Sequence, residues 1–133
     1  ACGRIFGIPW FGLPGNPVSS AISFLQYVRP ALLKLQAAEG LFLPVVDAQL
    51  EHSVTSRQGF LFLLRGVLRF DSDSGGYKVR TTGPQGSGIM SSLSRANALI
   101  VIPEDCSSVG AGERVRVQLL PPGLSGSPCP DLR

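Results

Sequence analysis

The stretch Phe11-Gly12-Leu13-Pro14-Gly15-Asn16-Pro17-Val18-Ser19-Ser20 packs a strand end, a tight turn and a helix start into ten residues. Pro14-Gly15 is a turn dipeptide, because proline presets φ and glycine accepts positive φ without steric cost. Asn16 carries the side chain of an N-cap, and Pro17 suits the first helical position, where no N–H is needed. The amides of Val18, Ser19 and Ser20 are then expected to point outward unpaired, with the positive end of the helix dipole behind them. Such an end suits a phosphate or an oxyanion. The same residues also describe an ordinary well-capped helix.

Upstream, Arg4 to Gly12 holds short apolar pieces broken by Gly7 and Pro9, and its end, with Trp10-Phe11 running into the turn, reads as a short buried strand. Downstream, Val18, Ala21, Ile22, Leu25, Val28, Leu32 and Leu35 keep helical spacing. Pro30 predicts a kink or break near Arg29, and Gly40 is the expected stop. From Pro44 the pattern changes to short strands: 45–51, 60–70, 77–82, 98–102 and 114–120. Asp71 to Gly76 reads as a hairpin loop between the second and third of these. In the last strand Val115, Val117 and Leu119 alternate with Arg114, Arg116 and Gln118, as a half-buried strand requires. Strands at this spacing predict a small barrel or sandwich. Residues 121–133 are rich in Pro, Gly and Ser and are expected to be disordered.

The 133 residues suffice for one ordinary domain or parts of two, and 44% are apolar. The net charge of +3 is modest. Between His52 and Pro103, however, Arg57, Arg65, Arg69, Lys78, Arg80 and Arg95 face only Asp71 and Asp73. That excess suits a small anion. It lacks the aromatic interleaving of a nucleic-acid surface, so no nucleic-acid partner is expected. No apolar run approaches a membrane span. Three widely spaced cysteines without a Cys-x-x-Cys pair argue against a disulfide scaffold or zinc site and fit the cytoplasm. His52 stands alone, and Asp71 and Asp73 form no calcium loop.

Gly12-Leu-Pro-Gly-Asn-Pro-Val-Ser19, with the apolar helix that follows, resembles the molybdopterin molybdenumtransferase family (bacterial MoeA and the gephyrin E domain). So do Thr81-Thr-Gly-Pro-Gln-Gly-Ser-Gly88, Ser91 to Asp105, and Gly110-Ala-Gly-Glu113 with its strand. The resemblance covers roughly residues 10–120. It implies that residues 1–43 are the end of a molybdopterin-binding α/β domain, that 44–120 are a small C-terminal β-barrel, and that the chain is a C-terminal fragment. The implied activity of the whole protein is insertion of molybdate into adenylated molybdopterin, as a cytoplasmic homodimer using magnesium whose ligands lie upstream.

By position, the resemblance assigns Pro14, Gly15, Asn16, Pro17 and Ser19 to the pterin pocket and Ser87 to molybdate. Glycines 83, 86 and 88 beside Ser87 suit a nest of amides around an anion. An arginine is the other implied oxyanion ligand, since its donor fork matches a tetrahedral anion. The family's Gly-Arg-x-acidic-Phe-x-Arg pattern departs here: aligned on Arg65-Gly66, Phe60 occupies the arginine position and Phe62 the acidic one. Either Arg65 or, with three residues inserted, Arg57 takes that role. No catalytic residue and no metal ligand stands out within the chain. The fragment alone is expected to be inactive. A partner-docking module of the gephyrin kind and an inactive truncated product are the alternatives.

Overall fold

The structure is a computed structural model, and it describes residues 1–86 and 88–121. Contacts divide the chain into two units: Ala1–Phe42 with Gly86–Met90, and Leu43–Gln85 with the residues from Ser91 onward.

The first unit opens on a hairpin. Strands β1 (Cys2–Ile5) and β2 (Ile8–Phe11) pair antiparallel with Ile5 opposite Ile8. Phe6 and Gly7, at φ 50° and 81°, supply the two left-handed positions of a tight two-residue turn whose twist matches the strands. The short buried strand expected before the turn is therefore corrected: it is a two-stranded ribbon, and residues 2–10 are exposed. A two-stranded ribbon leaves both faces open unless another layer covers it.

Helix α1 (Pro17–Ser23) passes into a π-helical segment (Phe24–Val28) and then into α2 (Arg29–Leu35). Pro30 explains the change. It has no N–H for the carbonyl of Gln26, and its ring crowds that carbonyl. The backbone widens ahead of it, and the Arg29 N–H reaches back five residues to the Phe24 carbonyl. The break predicted near Arg29 thus takes the form of a π-bulge. The helix stops before the expected Gly40, because Ala37 adopts φ 53° and closes the end. The Ala38 N–H then donates to Leu33 and the Ala37 N–H to Lys34, the paired bonds of a Schellman ending.

The second unit is a closed five-stranded barrel. Its strands are β3 (Val45–Leu50), β5 (Phe62–Asp71), β6 (Gly76–Thr81), β7 (Ala98–Ile102) and β9 (Arg114–Leu119), in the order β3-β6-β5-β7-β9. Each join is antiparallel except β3–β6, which is parallel and spans Gln49↔Lys78 and Leu50↔Val79. Strands β4 (Val54–Thr55) and β8 (Ser108–Val109) form a separate two-residue pair. Alternation along the strands fills the interior with Ala48, Leu50, Leu64, Leu68, Val79, Ile100, Ile102, Val115 and Val117. Gly66 belongs to that inward set. A Cβ there would stand 3.0 Å from the Ile100 side chain and 3.1 Å from the Arg80 carbonyl, so only glycine fits without displacement. Of the two architectures open at the sequence level, the barrel is the one formed.

Strand β5 is longer than either neighbour, and two carboxamides complete its hydrogen bonding. The β5–β7 ladder ends at Gly66↔Ala98. Beyond it, Asn97 Oδ1 accepts from the Leu68 N–H at 2.7 Å and Asn97 Nδ2 donates to the Leu68 carbonyl at 3.0 Å. The β5–β6 ladder ends at Gly66↔Thr81. There the chain turns away at Gly83 (φ 103°), and Gln85 supplies the missing partner: its Oε1 accepts from the Arg65 N–H at 2.8 Å. A carboxamide presents the same donor and acceptor as a peptide group, so a side chain stands in for the absent strand.

Candidate functional site

Arg65 lies in β5 opposite Leu99, on the outer face of the barrel, since Leu64 and Gly66 on either side of it point inward. It is nonetheless only 4% exposed. The short helix α3 (Met90–Ser94) carries the buried Ser92, whose Oγ accepts from Arg65 Nε at 2.8 Å. The Arg65 carbonyl is just as well held, accepting from the Thr82 N–H at 3.0 Å and from Gln85 Nε2 at 3.2 Å. Burial pulls the guanidinium pKa down from its usual value. Arginine starts so far above neutrality that the group stays charged. The result is a fixed, partly desolvated cation, and a charge in that setting acts on an anion more strongly than one in bulk water.

Arg57 is placed differently. It sits exposed between β4 and β5 with its guanidinium 5.2 Å from the centre of the Phe60 ring, in cation–π contact. Ser87 lies outside the described residues.

The Pro14–Ser19 segment belongs to the first unit. Asn16 is the N-cap, in extended conformation at φ −75°, ψ 127°, and Pro17 opens the helix, both as predicted. Two expectations are corrected. The amides of Val18 and Ser19 do not stand open, because Asn16 Oδ1 accepts from both at 3.1 and 3.2 Å. The Ser20 N–H donates to the Asn16 carbonyl at 2.8 Å. One good cap consumes the donors that an anion would have used. Gly15 does not take positive φ, and a Cβ there would meet nothing within 4 Å, since the chain makes an open bend instead of a turn needing a left-handed residue. Pro14, Gly15 and Pro17 are exposed, while Asn16 and Ser19 are half-buried.

The basic excess of the middle of the chain is partly neutralised at the β5–β6 hairpin. Arg69 pairs with Glu51, and Lys78 reaches Asp71 at 2.7 Å. Hydrogen bonds from Lys78 and from the Ser74 hydroxyl hold the Asp71 carboxyl down at a pKa of about 2. His52 shares a 3.0 Å hydrogen bond with the Thr81 hydroxyl in an exposed setting. Among the described residues no group of three His, Cys, Asp or Glu side chains converges to hold a metal ion, so they provide no donor set for the magnesium that the resemblance implies. Among them, too, no helix is long and apolar enough to cross a membrane. Sequence reasoning passed over Gln85 and Asn97, whose partners lie 20 and 29 residues away and leave no local signal.

A β-rich unit with a closed five-stranded barrel and a buried cation on its outer wall defines the class. The chain belongs to the family of the MoeA C-terminal region (domain IV), which it matches over residues 47–120. It is 37% identical to molybdopterin molybdenumtransferase 2 of Mycobacterium tuberculosis over 115 residues, covering 86% of this chain and 27% of that protein. It is 32% identical to gephyrin of Dictyostelium discoideum over 118 residues, covering 84% of this chain and 16% of that one. A molybdenum cofactor biosynthesis protein from Pyrococcus furiosus superimposes with a TM-score of 0.65 at 39% identity, over 80% of this chain and 36% of that chain. The chain thus spans about a quarter of the length of the transferase.

Proposed function

We propose that this chain is the C-terminal part of a molybdopterin molybdenumtransferase, in which it helps insert molybdate into adenylated molybdopterin. Residues 1–43 then end the pterin-binding α/β domain and 44–120 form the C-terminal barrel; the disordered tail expected at 121–133 lies, from residue 122 onward, outside the described residues. The observation that carries the reading is Arg65: a guanidinium buried on the outer wall of the barrel and oriented through Nε by Ser92. Its planar fork matches a tetrahedral oxyanion, and its burial removes competing water. Ser87 is the hydroxyl that the family resemblance assigns to molybdate, and Arg57 is the alternative cation. Pro14, Gly15, Asn16, Pro17 and Ser19 shape the pterin side. Their contribution is contour and the Ser19 hydroxyl, because Asn16 already occupies the helix-end amides. The whole protein works as a cytoplasmic homodimer, with its magnesium ligands outside this chain.

The test is a chimera in which this chain replaces the matching C-terminal part of the Mycobacterium tuberculosis enzyme. The chimera should synthesise cofactor in a molybdate-dependent manner. Arg65→Ala should raise the molybdate requirement strongly, on the order of 2–5 kcal/mol for a desolvated charged contact. Ser87→Ala should cost about 0.5–1.5 kcal/mol, and Arg57→Ala little. Unchanged molybdate dependence in all three variants would return the barrel to a role in assembly.

A further inference from the structure

Gln85 makes three hydrogen bonds around one point. Its Oε1 accepts from the Arg65 N–H at 2.8 Å, and its Nε2 donates to the Arg65 carbonyl at 3.2 Å and to the Gly83 carbonyl at 2.9 Å. The head of Arg65 is fixed separately, by Nε donating to Ser92 Oγ. One residue is therefore gripped at its backbone by a carboxamide and at its guanidinium by a hydroxyl. The β5–β7 ladder carries Arg65 against Leu99, and the β5–β6 ladder starts next door at Gly66↔Thr81. What the carboxamide adds is local: it fixes the peptide from which the buried guanidinium springs while the chain departs at Gly83.

We propose that Gln85 is a positioning residue for Arg65, setting the direction in which the guanidinium meets a tetrahedral oxyanion. The inference rests on the oxyanion reading given above. Groups that orient a ligating side chain typically govern affinity without touching the ligand themselves. Gln85→Ala removes all three bonds. Gln85→Glu preserves shape and the acceptor for the Arg65 N–H, abolishes both donations, and turns a carboxylate oxygen toward the Arg65 and Gly83 carbonyls, which it repels.

The experiment titrates sodium molybdate into the 15N-labelled 133-residue chain, following the Arg65 Nε–H resonance and equilibrium dialysis. Wild type, Gln85→Ala, Gln85→Glu and Arg65→Lys are compared, with thermal midpoints recorded in parallel. In the wild type, molybdate should move the Arg65 Nε–H resonance. Gln85→Ala should weaken binding about tenfold, as expected for an orienting partner, and Gln85→Glu by more. Lowered thermal midpoints with wild-type molybdate affinity would overturn the proposal and make Gln85 a structural clamp only. Loss of binding in Arg65→Lys but in neither Gln85 variant would likewise overturn it while leaving the oxyanion reading intact. No response in the wild type would sink both. If Gln85→Ala fails to fold, the isosteric Gln85→Glu decides alone.

Discussion

Removing the Asn97 carboxamide would strand the N–H and C=O of Leu68 in the barrel wall, where Asn97 is only 6% exposed. An orphaned buried backbone group is destabilising by about 1–3 kcal/mol, and Asn97→Ala creates two. The variant should therefore unfold at clearly lower urea with an unchanged m-value. Asn97→Asp is the sharper test. It keeps the acceptor for the Leu68 N–H but aims a carboxylate at the Leu68 carbonyl. Protonation restores a donor, so the folded state should raise that carboxyl's pKa. Its stability deficit should then shrink at acid pH and grow as pH rises through the folded pKa. A deficit independent of pH would show that the carbonyl finds another partner.

At the scale of elements, the β5–β6 hairpin carries the chain's clearest acid-sensitive contact. Asp71, with its carboxyl held at a pKa of about 2, is more acidic folded than unfolded. The stability it contributes is thus present above the ordinary carboxylate range and lost as pH falls from about 4 toward 2. Asp71→Asn should flatten the acid limb of a stability–pH curve in that window and lower its level by a small constant amount above about pH 5. The effect is small, because these charges are solvent-screened. The barrel strands were legible in the sequence because each runs over several residues, and in the last of them Val115, Val117 and Leu119 face the core as their spacing predicts. Two-residue pairs such as β4 and β8 are too short for any period to register, and α3, at five residues, is little longer. Asn16 and Pro17 announced their helix start, but not that the cap would consume the amides it exposed. That outcome depends on a rotamer, not on a residue type. The roles of Gln85 and Asn97 were hidden for another reason, since a carboxamide standing in for a strand is defined only once the sheet exists.

For the whole molecule, the barrel unit and the unit before it differ in how each meets solvent. The barrel encloses its apolar side chains within a ring of strands. The first unit leaves Phe6 99%, Tyr27 69% and Phe42 74% exposed. The ring has a further property at its ends. Val45, where it begins, stands opposite Gln118, where it finishes, and the Pro44 carbonyl accepts from the Leu119 N–H at 2.9 Å. A chain whose beginning and end already touch has no structural need to be cut at that place. Joining Leu120 back to Leu43 through a short glycine linker and reopening the chain in the 72–75 loop should give the same barrel, checked by amide spectra and near-ultraviolet dichroism; a collapsed spectrum would show that the strands need their native order of appearance. Adjoining ends make the barrel portable: it can be spliced into a loop of a host protein, or carried from one chain to another, by a single pair of neighbouring seams.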